Sequence, residues 1–267
     1  ELDPTALAAH RSLVRQLAAS RKVEEERRVA QLTIDRGLGM WEHRMQRPEH
    51  WMSGLTSKPW HDTQDFPWCQ KLERNFQIIQ DELRAVLQHE DVWPLVSPGE
   101  LSLTSGTGKW QEIVMLGPRS KRGRRLCPLT SKLLDEVPGA KALANTRAGC
   151  GNAIFSKLDP GTHLQPHCGP TNARLTCHLG CDVPDGCRIR VGSEVRQWHQ
   201  GKCLVFDDSW EHEIWTAGDR PRIVLLINFW HPDLPASWHP DQLLIPCAAD
   251  TFVLRSCADS ASSDIAI

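Results

Sequence analysis

Residues 202–230 read KCLVFDDSWEHEIWTAGDRPRIVLLINFW, and this stretch decides the predicted fold. Three short apolar runs in it are separated by turn signals, the Asp pair at 207–208 and Ala-Gly-Asp at 217–219. Short runs bounded by turn residues are typical of β-strands rather than of helices. The stretch therefore predicts three consecutive strands of a sheet.

The same pattern begins well before this stretch. Further short apolar runs occur at 110–116, 152–158, 173–180 and 186–191. Several short strands at this spacing, with turns such as Asp-Pro-Gly at 159–161 between them, predict an all-β sandwich, barrel or jelly roll. The residues alone leave these three β architectures open.

The first part of the chain has helical periodicity instead. Residues 5–38 place apolar residues at helical spacing, and the opening ELDPTALAAH looks like the junction of two tetratricopeptide repeats. Only about one repeat is present, and a lone repeat cannot bury its own apolar face. A plain helical hairpin packed on the next domain is therefore an equally good interpretation. Residues 69–89 predict another, amphipathic helix.

These changes of period divide the chain into four predicted parts. They are a helical, tetratricopeptide-like segment (1–40), a connector with a supporting helix (41–95), a β domain (96–250) and a C-terminal tail (251–267). The basic run RSKRGRR at 119–125 is interpreted as a solvated loop between strands.

Composition excludes several classes of protein. The 267 residues are 40% hydrophobic and 24% charged, as in a globular chain long enough for one or two domains. A net charge of −2 gives no bulk attraction to nucleic acid, and no stretch approaches the ~20 apolar residues that span a bilayer. The ten cysteines include no Cys-x-x-Cys pair, so we expect no zinc ribbon or thioredoxin-type motif. Because the sequence begins at Glu1 without a secretory leader, we expect a fragment or a processed product.

Histidines concentrate in the predicted β region. His167 and His178 lie near one predicted strand pair, and His212 follows a turn. Neutral imidazole is the commonest transition-metal ligand, and two histidines with open positions suit Fe(II) oxygen chemistry. The usual facial triad begins His-x-Asp or His-x-Glu, whereas this chain has His167-Cys168-Gly169. Spacing alone leaves a metal site and buried structural histidines equally open.

Three ordered segments carry a more specific pattern. They are DPGTHLQPHCGPTNARLTCHLG (159–180), GCRIRVGSEVRQWHQGKCLVFDDSWEHEIW (186–215) and PRIVLLINFWHPDL (221–234). Together they resemble the aspartyl/asparaginyl β-hydroxylase family, whose members are Fe(II)- and 2-oxoglutarate-dependent dioxygenases. The resemblance implies a double-stranded β-helix (jelly-roll, cupin-like) core for residues 96–250. It also implies hydroxylation of the β-carbon of Asp or Asn residues in a peptide or protein.

The resemblance further implies a set of metal ligands. Family members bind iron through two histidines only, with glycine at the usual acid position. His167 and His212 fall on the two ligand positions, and Gly169 on the glycine. Asp208 is the nearest carboxylate, and we expect it to orient a metal-bound water from outside the ligand set.

The cosubstrate and substrate residues are implied in the same way. Arg222 falls on the family arginine that pairs with the distal carboxylate of 2-oxoglutarate, which a planar guanidinium suits. Ser156 matches the hydroxyl that shares this carboxylate, and His178 matches a residue lining the cosubstrate site. Arg174 matches an arginine expected to bind the acidic side chain of the substrate. Thr176 stands where animal members have a second arginine, which removes one cation near the cosubstrate.

The implied partners are O2 and an Asp- or Asn-containing peptide or protein, with EGF-like domains among the candidates. We expect no nucleic-acid partner and no membrane anchor within this sequence. The endoplasmic reticulum lumen is implied if the chain follows the animal members, and the cytoplasm otherwise. Two alternatives stay open: a same-fold oxygenase acting on a small molecule or lipid, and a catalytically silent homologue that serves as a binding module. His167, His212 and Arg222 argue against a purely structural repeat adaptor.

Overall fold

The computed structural model describes residues 4–38, 41–146, 151–235 and 238. The helices are α1 (Pro4–Ala19), α2 (Val23–Asp35), α3 (Pro67–Arg74), α4 (Phe76–Leu87), α5 (Pro98–Leu101), α6 (Ser120–Leu126), α7 (Pro128–Asp135) and α8 (Ala140–Ala144). The strands are β1 (Trp60–His61), β2 (Thr104–Ser105), β3 (Trp110–Leu116), β4 (Ala153–Leu158), β5 (His163–His167), β6 (Arg174–Asp182), β7 (Arg188–Val191), β8 (Glu194–Gln197), β9 (Cys203–Phe206), β10 (His212–Trp215) and β11 (Arg222–Trp230). Two 3-10 turns, Thr63–Asp65 and Glu90–Val92, complete the regular structure of these ranges.

The strands form two antiparallel sheets. The large sheet has the order β1-β9-β6-β11-β4-β3, and the small sheet has the order β2-β5-β10-β7-β8. From β4 to β11 the chain passes back and forth between the two sheets, with one hairpin, β7-β8, inside the small sheet. This is the connectivity of an eight-stranded jelly roll. The mainly-β prediction is confirmed, and of the three architectures left open the jelly roll is the observed one.

Apolar side chains from both sheets fill the space between them. Leu158 and Val224 come from the large sheet, and Leu164, Ile189 and Ile214 come from the small sheet. Side chains alternate between the faces of a strand, so each of these strands sends every second residue into the interior. Burying each aliphatic side chain contributes roughly 1.5–3 kcal/mol. The interior is thus a packed apolar core. A functional site inside it requires polar residues at some of the inward-facing positions.

The outer face of the large sheet is covered by helices. Ile79 and Leu83 of α4 and Leu134 of α7 pack with Phe155 and Leu225 of the sheet. Strands β4, β6 and β11 are therefore buried on both faces. This explains why they appear in the sequence as nearly continuous apolar runs rather than as alternating ones.

The helix predicted over residues 69–89 is two helices. Asn75 separates α3 from α4, and its side-chain amide donates to the carbonyl oxygen of Lys71 (2.8 Å). Asparagine competes in this way for backbone groups, which favours helix ends over helix interiors. The apolar stripe continues across the break, and so periodicity alone did not reveal it.

The basic run at 119–125 is not a loop. Ser120–Leu126 form α6, which lies directly on β3. Gly123 makes this approach possible, because a Cβ at that position would lie 2.0 Å from the carbonyl oxygen of Val114. The prediction of a solvated loop was wrong because it considered only the charges and not the glycine among them.

The N-terminal helices α1 and α2 form a helical hairpin. Val14 and Ala30 pack against Trp41, and His10 Nδ1 lies 2.7 Å from Thr33 Oγ1 across the two helices. Residues 4–38 form one helical hairpin and no second one, so a tetratricopeptide repeat stays a prediction. None of the described helices is both long and apolar enough to cross a lipid bilayer.

A buried cluster of charges joins the hairpin to the jelly roll. Its centre is Glu211, the residue before β10, whose side chain is fully buried. Three guanidiniums donate to its carboxylate: Arg27 Nε of α2 (2.9 Å), Arg47 Nη2 of the connector (2.9 Å) and Arg190 Nη2 of β7 (2.8 Å). Burial by itself raises the pKa of Glu211, but the ion pairs outweigh this effect and lower the pKa to about 2.

We expect Glu211→Gln to lower the free energy of unfolding by about 3–5 kcal/mol, because three guanidiniums lose their common counter-charge in a buried site. Urea denaturation at pH 7 measures this difference. Glu24→Gln is the matched control, since Glu24 pairs with the same Arg27 but its side chain is 78% exposed. We expect the control to change stability by no more than about 0.5 kcal/mol. Equal effects of the two substitutions would contradict a central role for Glu211.

The pH dependence of the same variant follows from the lowered pKa. The pKa of a glutamate in an unfolded chain is about 4.3, whereas the pKa of Glu211 in the folded chain is about 2. The folded state therefore binds the proton less tightly, and the stabilisation is fully present above about pH 5. We expect the difference between wild type and Glu211→Gln to shrink as the pH falls from about 4.5 towards 2.

Candidate active site

Two predicted ligands lie side by side in the small sheet. His167, at the end of β5, is the direct cross-strand partner of His212, at the start of β10. Their ring centroids are 4.1 Å apart. Residues opposite one another in an antiparallel pair bring their side chains together on one face. Sequence positions 45 residues apart are thus brought together by strand register.

The same nitrogen is left without a proton in both imidazoles. His167 Nδ1 lies 2.7 Å from the carbonyl oxygen of Gln165, and His212 Nδ1 lies 2.9 Å from that of Trp210. A carbonyl oxygen can only accept, so each Nδ1 carries the proton and each Nε2 has a free lone pair. Burial lowers the pKa of His167 to about 3 and also lowers the pKa of His212. Both rings are therefore neutral at physiological pH, which is the form that binds a metal ion.

Asp208, in the connection between β9 and β10, occupies the space of the acid that is missing at position 169. A Cβ at Gly169 would lie 2.7 Å from the carboxylate carbon of Asp208, and Gly169 N–H donates to the Asp208 carbonyl oxygen (2.6 Å). Asp208 therefore places its carboxylate where a side chain at position 169 would begin. A residue larger than glycine at this position would displace the carboxylate.

Arg174 holds this carboxylate. Its Nε lies 3.3 Å from Asp208 Oδ1, and its Nη2 donates to Oδ2. The two side chains are only 12% and 8% exposed. The sequence assigned Arg174 to the substrate and Asp208 to a metal-bound water, whereas the structure brings them together as a bidentate ion pair.

The predicted cosubstrate arginine is buried inside the jelly roll. Arg222 is 1% exposed, and among the described residues its Nε and Nη1 have no hydrogen-bond partner. The guanidinium lies over the ring of Trp198, 4.9 Å from the centroid. Burial lowers the pKa of Arg222 to about 10, so the group stays charged at neutral pH. A buried charge without a counter-charge is costly, and an anionic ligand would remove that cost.

Two further donors face the same interior. Trp198 Nε1 donates to His178 Nδ1 (3.3 Å), which places the His178 proton on Nε2, and this buried nitrogen has no partner among the described residues. Trp110 Nε1 donates to Ser156 Oγ (3.0 Å), which leaves the hydroxyl proton of Ser156 available. The pocket therefore offers positive charge and N–H or O–H donors, the set that a carboxylate needs.

Aromatic contacts connect the arginine pocket to the histidine pair. The ring of His178 lies 6.0 Å from Trp198 and 4.9 Å from Phe206, and Phe206 lies 5.9 Å from His212. With Arg222 over Trp198, these rings form one continuous set of contacts from the guanidinium to the imidazoles. The two half-sites are therefore joined by side-chain contacts inside the jelly roll.

Thr176 takes no direct part in this charge arrangement. It is 2% exposed, and its Oγ1 accepts a hydrogen bond from Asn228 Nδ2 (2.9 Å). It lies on the same strand face as Arg174 and His178, so an arginine here would reach the interior. The space that a second cation would need is thus occupied by a neutral, satisfied pair.

Sequence reasoning missed the two tryptophans that orient the pocket. Trp110 and Trp198 each donate one hydrogen bond that determines which proton Ser156 or His178 presents. The signal available was the high tryptophan content, 11 residues with no tyrosine. A buried indole N–H requires a partner, so tryptophans near polar cavity residues are candidates for this role.

Comparisons with known proteins show the family of this chain. The sequence model of the family described as aspartyl/asparaginyl beta-hydroxylase matches residues 73–232. The chain is 35% identical over 197 residues to aspartyl/asparaginyl beta-hydroxylase of Homo sapiens, covering 71% of this chain and 25% of that protein. It is 38% identical to aspartate beta-hydroxylase domain-containing protein 2 of Rattus norvegicus, covering 62% and 48%.

A bacterial relative has a different substrate in its name. The ornithine lipid ester-linked acyl 2-hydroxylase of Rhizobium tropici is 34% identical, covering 67% of this chain and 62% of that protein. The chain thus spans between a quarter and about three fifths of the length of these relatives. The family match covers more than half of the chain and includes every predicted site residue. The chain therefore belongs to the aspartyl/asparaginyl β-hydroxylase family.

Proposed function

We propose that the chain is an Fe(II)- and 2-oxoglutarate-dependent dioxygenase that hydroxylates the β-carbon of Asp or Asn residues in a peptide or protein. The observation that carries this proposal is the unpaired Arg222 guanidinium, buried in the same barrel as two neutral histidines with free Nε2 atoms. A resident metal explains the histidines, and a dicarboxylate explains the arginine. The family membership supports both assignments.

His167 and His212 would hold the iron through Nε2. Two protein ligands leave several coordination positions for other groups, as oxygen-activating non-haem iron requires. When bound, the iron supplies the activation of O2. The carbonyl oxygens of Gln165 and Trp210 fix the tautomer and the orientation of the rings, so the protein positions the ligands before any metal binds.

Arg222, Ser156 and His178 would bind the distal carboxylate of 2-oxoglutarate. In a buried pocket each charge-assisted hydrogen bond is stronger than in water, because the surroundings have a low dielectric constant. The tryptophan donors keep Ser156 and His178 in the protonation pattern that donates to the ligand. With Thr176 neutral, Arg222 would supply the positive charge for this carboxylate.

The Arg174–Asp208 pair would line the substrate side of the iron. Because an ion pair has no net charge, the pair would present a neutral polar surface to an Asn amide as well as to an Asp carboxylate. Gly169 keeps the carboxylate of Asp208 beside the ligand strand, where it would also orient a water on the metal. Arg174 would thus position substrate together with Asp208 and not alone.

The names of the relatives favour two different substrates. The human relative supports Asp or Asn in a protein, whereas the Rhizobium relative, at similar identity, supports an acyl chain of a lipid. The charged pair at the substrate side favours a polar target over a lipid acyl chain, because an apolar chain that covers the remaining exposed part of two charged groups removes water without replacing its hydrogen bonds.

We expect His167→Ala or His212→Ala to abolish Fe(II) binding, because each removes one of two protein ligands. Anaerobic calorimetric titration with Fe(II) measures this directly, and succinate formation follows turnover. His163→Ala is the matched control: His163 lies on the same strand as His167 but pairs with Glu213 (3.1 Å) outside the candidate ligand set. Near-normal Fe(II) binding in either variant would contradict the assignment of His167 and His212 as iron ligands.

We expect Arg222→Ala to raise the 2-oxoglutarate KM by a factor of roughly 30 to several thousand, the equivalent of about 2–5 kcal/mol for a buried charge pair. A thermal melt gives a second readout. Without ligand the variant should be no less stable than wild type, because it loses an unpaired buried charge. Added 2-oxoglutarate should raise the Tm of wild type but not of the variant.

Arg220→Ala is the control for this experiment, since Arg220 lies two residues away and pairs with Asp182 at the surface. It should leave both the KM and the ligand-induced Tm shift unchanged. A normal KM in Arg222→Ala would move the cosubstrate site elsewhere.

The substrate is tested with matched peptides that carry Asp, Asn, Ala or Leu at one position, in linear and disulfide-rich EGF-like contexts. We expect mass spectrometry to show one added oxygen on Asp or Asn peptides and none on Ala or Leu peptides. Incubation contains Fe(II), ascorbate and 2-oxoglutarate, and uncoupled succinate formation proves that the preparation is active.

Micelles of an ester-linked acyl lipid form the competing arm. If an active preparation modifies no Asp or Asn peptide, the peptide proposal fails. Oxygen added to the acyl chain in that case assigns the same metal ligands to a lipid hydroxylase.

A further inference from the structure

Three cysteine thiols meet outside the candidate active site. The Sγ atoms of Cys69, Cys177 and Cys203 all lie within 4.8 Å of one another. They come from α3, β6 and β9, so they are far apart in sequence and form no sequence motif. All three are free thiols that are at most 6% exposed. In the described ranges, no other set of three or more His, Cys, Asp or Glu side chains converges this closely.

The thiols contact one another within apolar surroundings. Hydrogen bonds from Cys177 and Cys203 lower the pKa of Cys69, and Cys203 Sγ lies 3.8 Å from the carbonyl oxygen of Cys69. Around them lie the apolar layer between the helices and the large sheet, including Leu72 and Leu179, and the carboxylate of Glu73, which accepts a hydrogen bond from the Cys203 N–H (3.0 Å). Polar groups in such a layer need a partner, and here the sulfurs provide one another with the nearest.

The geometry suits a metal ion with three sulfur ligands. A metal–sulfur distance of about 2.3 Å places three coplanar sulfurs about 4.0 Å apart, so a movement of less than about 1 Å closes the cluster on an ion. Zinc in structural sites takes four ligands, and no fourth ligand from the described residues completes this set. Thiolates select soft ions, of which Cu(I) is the monovalent one. Cysteine binds a metal as the thiolate, so Cu(I) binding releases a thiol proton to the solvent. Loss of the proton of Cys69, whose pKa the other two thiols lower, leaves one negative charge, and the single charge of Cu(I) neutralises it.

This cluster is separated from the candidate iron site by the sheet itself. Cys177 lies between Thr176 and His178 on β6, and alternate residues of a strand point to opposite faces. Thr176 and His178 therefore face the interior of the jelly roll, while Cys177 faces the helices. The two sites share a strand but no side chain.

We infer that Cys69, Cys177 and Cys203 form a binding site for Cu(I) on the outer face of the large sheet. The site takes one soft monovalent ion in a three-sulfur environment. It is independent of the oxygenase chemistry, because its ligands face the opposite side of β6.

The test offers Cu(I) to the purified full chain without oxygen, as its coloured complex with bicinchoninate. We expect wild type to withdraw one equivalent, and X-ray absorption to show sulfur ligands at about 2.3 Å without nitrogen. Cys69→Ala, Cys177→Ala and Cys203→Ala are made separately, so that one unstable variant does not remove the test. Each should weaken Cu(I) binding by more than the roughly 10–100-fold that loss of a residue outside a ligand set costs.

Cys181→Ala is the matched control, since Cys181 lies on the same strand and in the same apolar layer but outside the cluster. It should bind Cu(I) like wild type, and so should His167→Ala. The inference is overturned if wild type withdraws no Cu(I), if the folded cluster variants bind as tightly as Cys181→Ala, or if nitrogen ligands dominate the absorption spectrum. Preferential retention of Zn(II) over Cu(I) would also overturn it.

Discussion

One buried carboxylate, Glu211, determines how the parts of this chain fit together. It accepts hydrogen bonds from α2, from the connector and from β7, and the next residue along the chain is the candidate ligand His212. A buried carboxylate with several cationic partners cannot move without leaving charges unpaired, so its position is fixed far more strictly than an apolar contact would be. The N-terminal hairpin is thereby joined by ion pairs to β10, the strand that begins with the candidate ligand His212. In this structure the hairpin supports β10 through the Arg27–Glu211 ion pair.

The arginines at and beside the candidate site divide into two kinds. Those around Glu211, and Arg174 on Asp208, are neutralised by carboxylates of the chain itself. Arg222 is almost completely buried, yet nothing in the described structure neutralises it. Among these arginines, Arg222 alone keeps an uncompensated desolvation cost. An anionic cosubstrate would remove that cost. In the proposed function, an anionic cosubstrate is selected by the contrast between satisfied and unsatisfied charge, and not by the number of arginines.

Much of the fold could be predicted from the sequence, and the failures have a common cause. Strands β3, β4 and β11 are buried on both faces, so their apolar runs were evident. Strand β5 reads HLQPH and carries the candidate ligand His167, and β8 reads EVRQ at a sheet edge, so neither shows apolar alternation. For the candidate site, the family resemblance proposed the residues but not their protonation. The carbonyls and tryptophans that determine which nitrogen is free come from tertiary contacts.

Strand β6 shows why local sequence is not enough. Its run RLTCHLGCD is recognised as one apolar strand, but the large sheet divides it into two faces with different chemistry. Arg174, Thr176 and His178 face the jelly-roll interior, while Cys177 meets thiols from a helix and from β9 on the other side. Adjacent residues therefore belong to sites that cannot exchange a ligand, because the backbone hydrogen bonds of the sheet lie between them. The separation is a property of strand pairing, which acts on residues distant in sequence, and no pattern of neighbouring residues contains it.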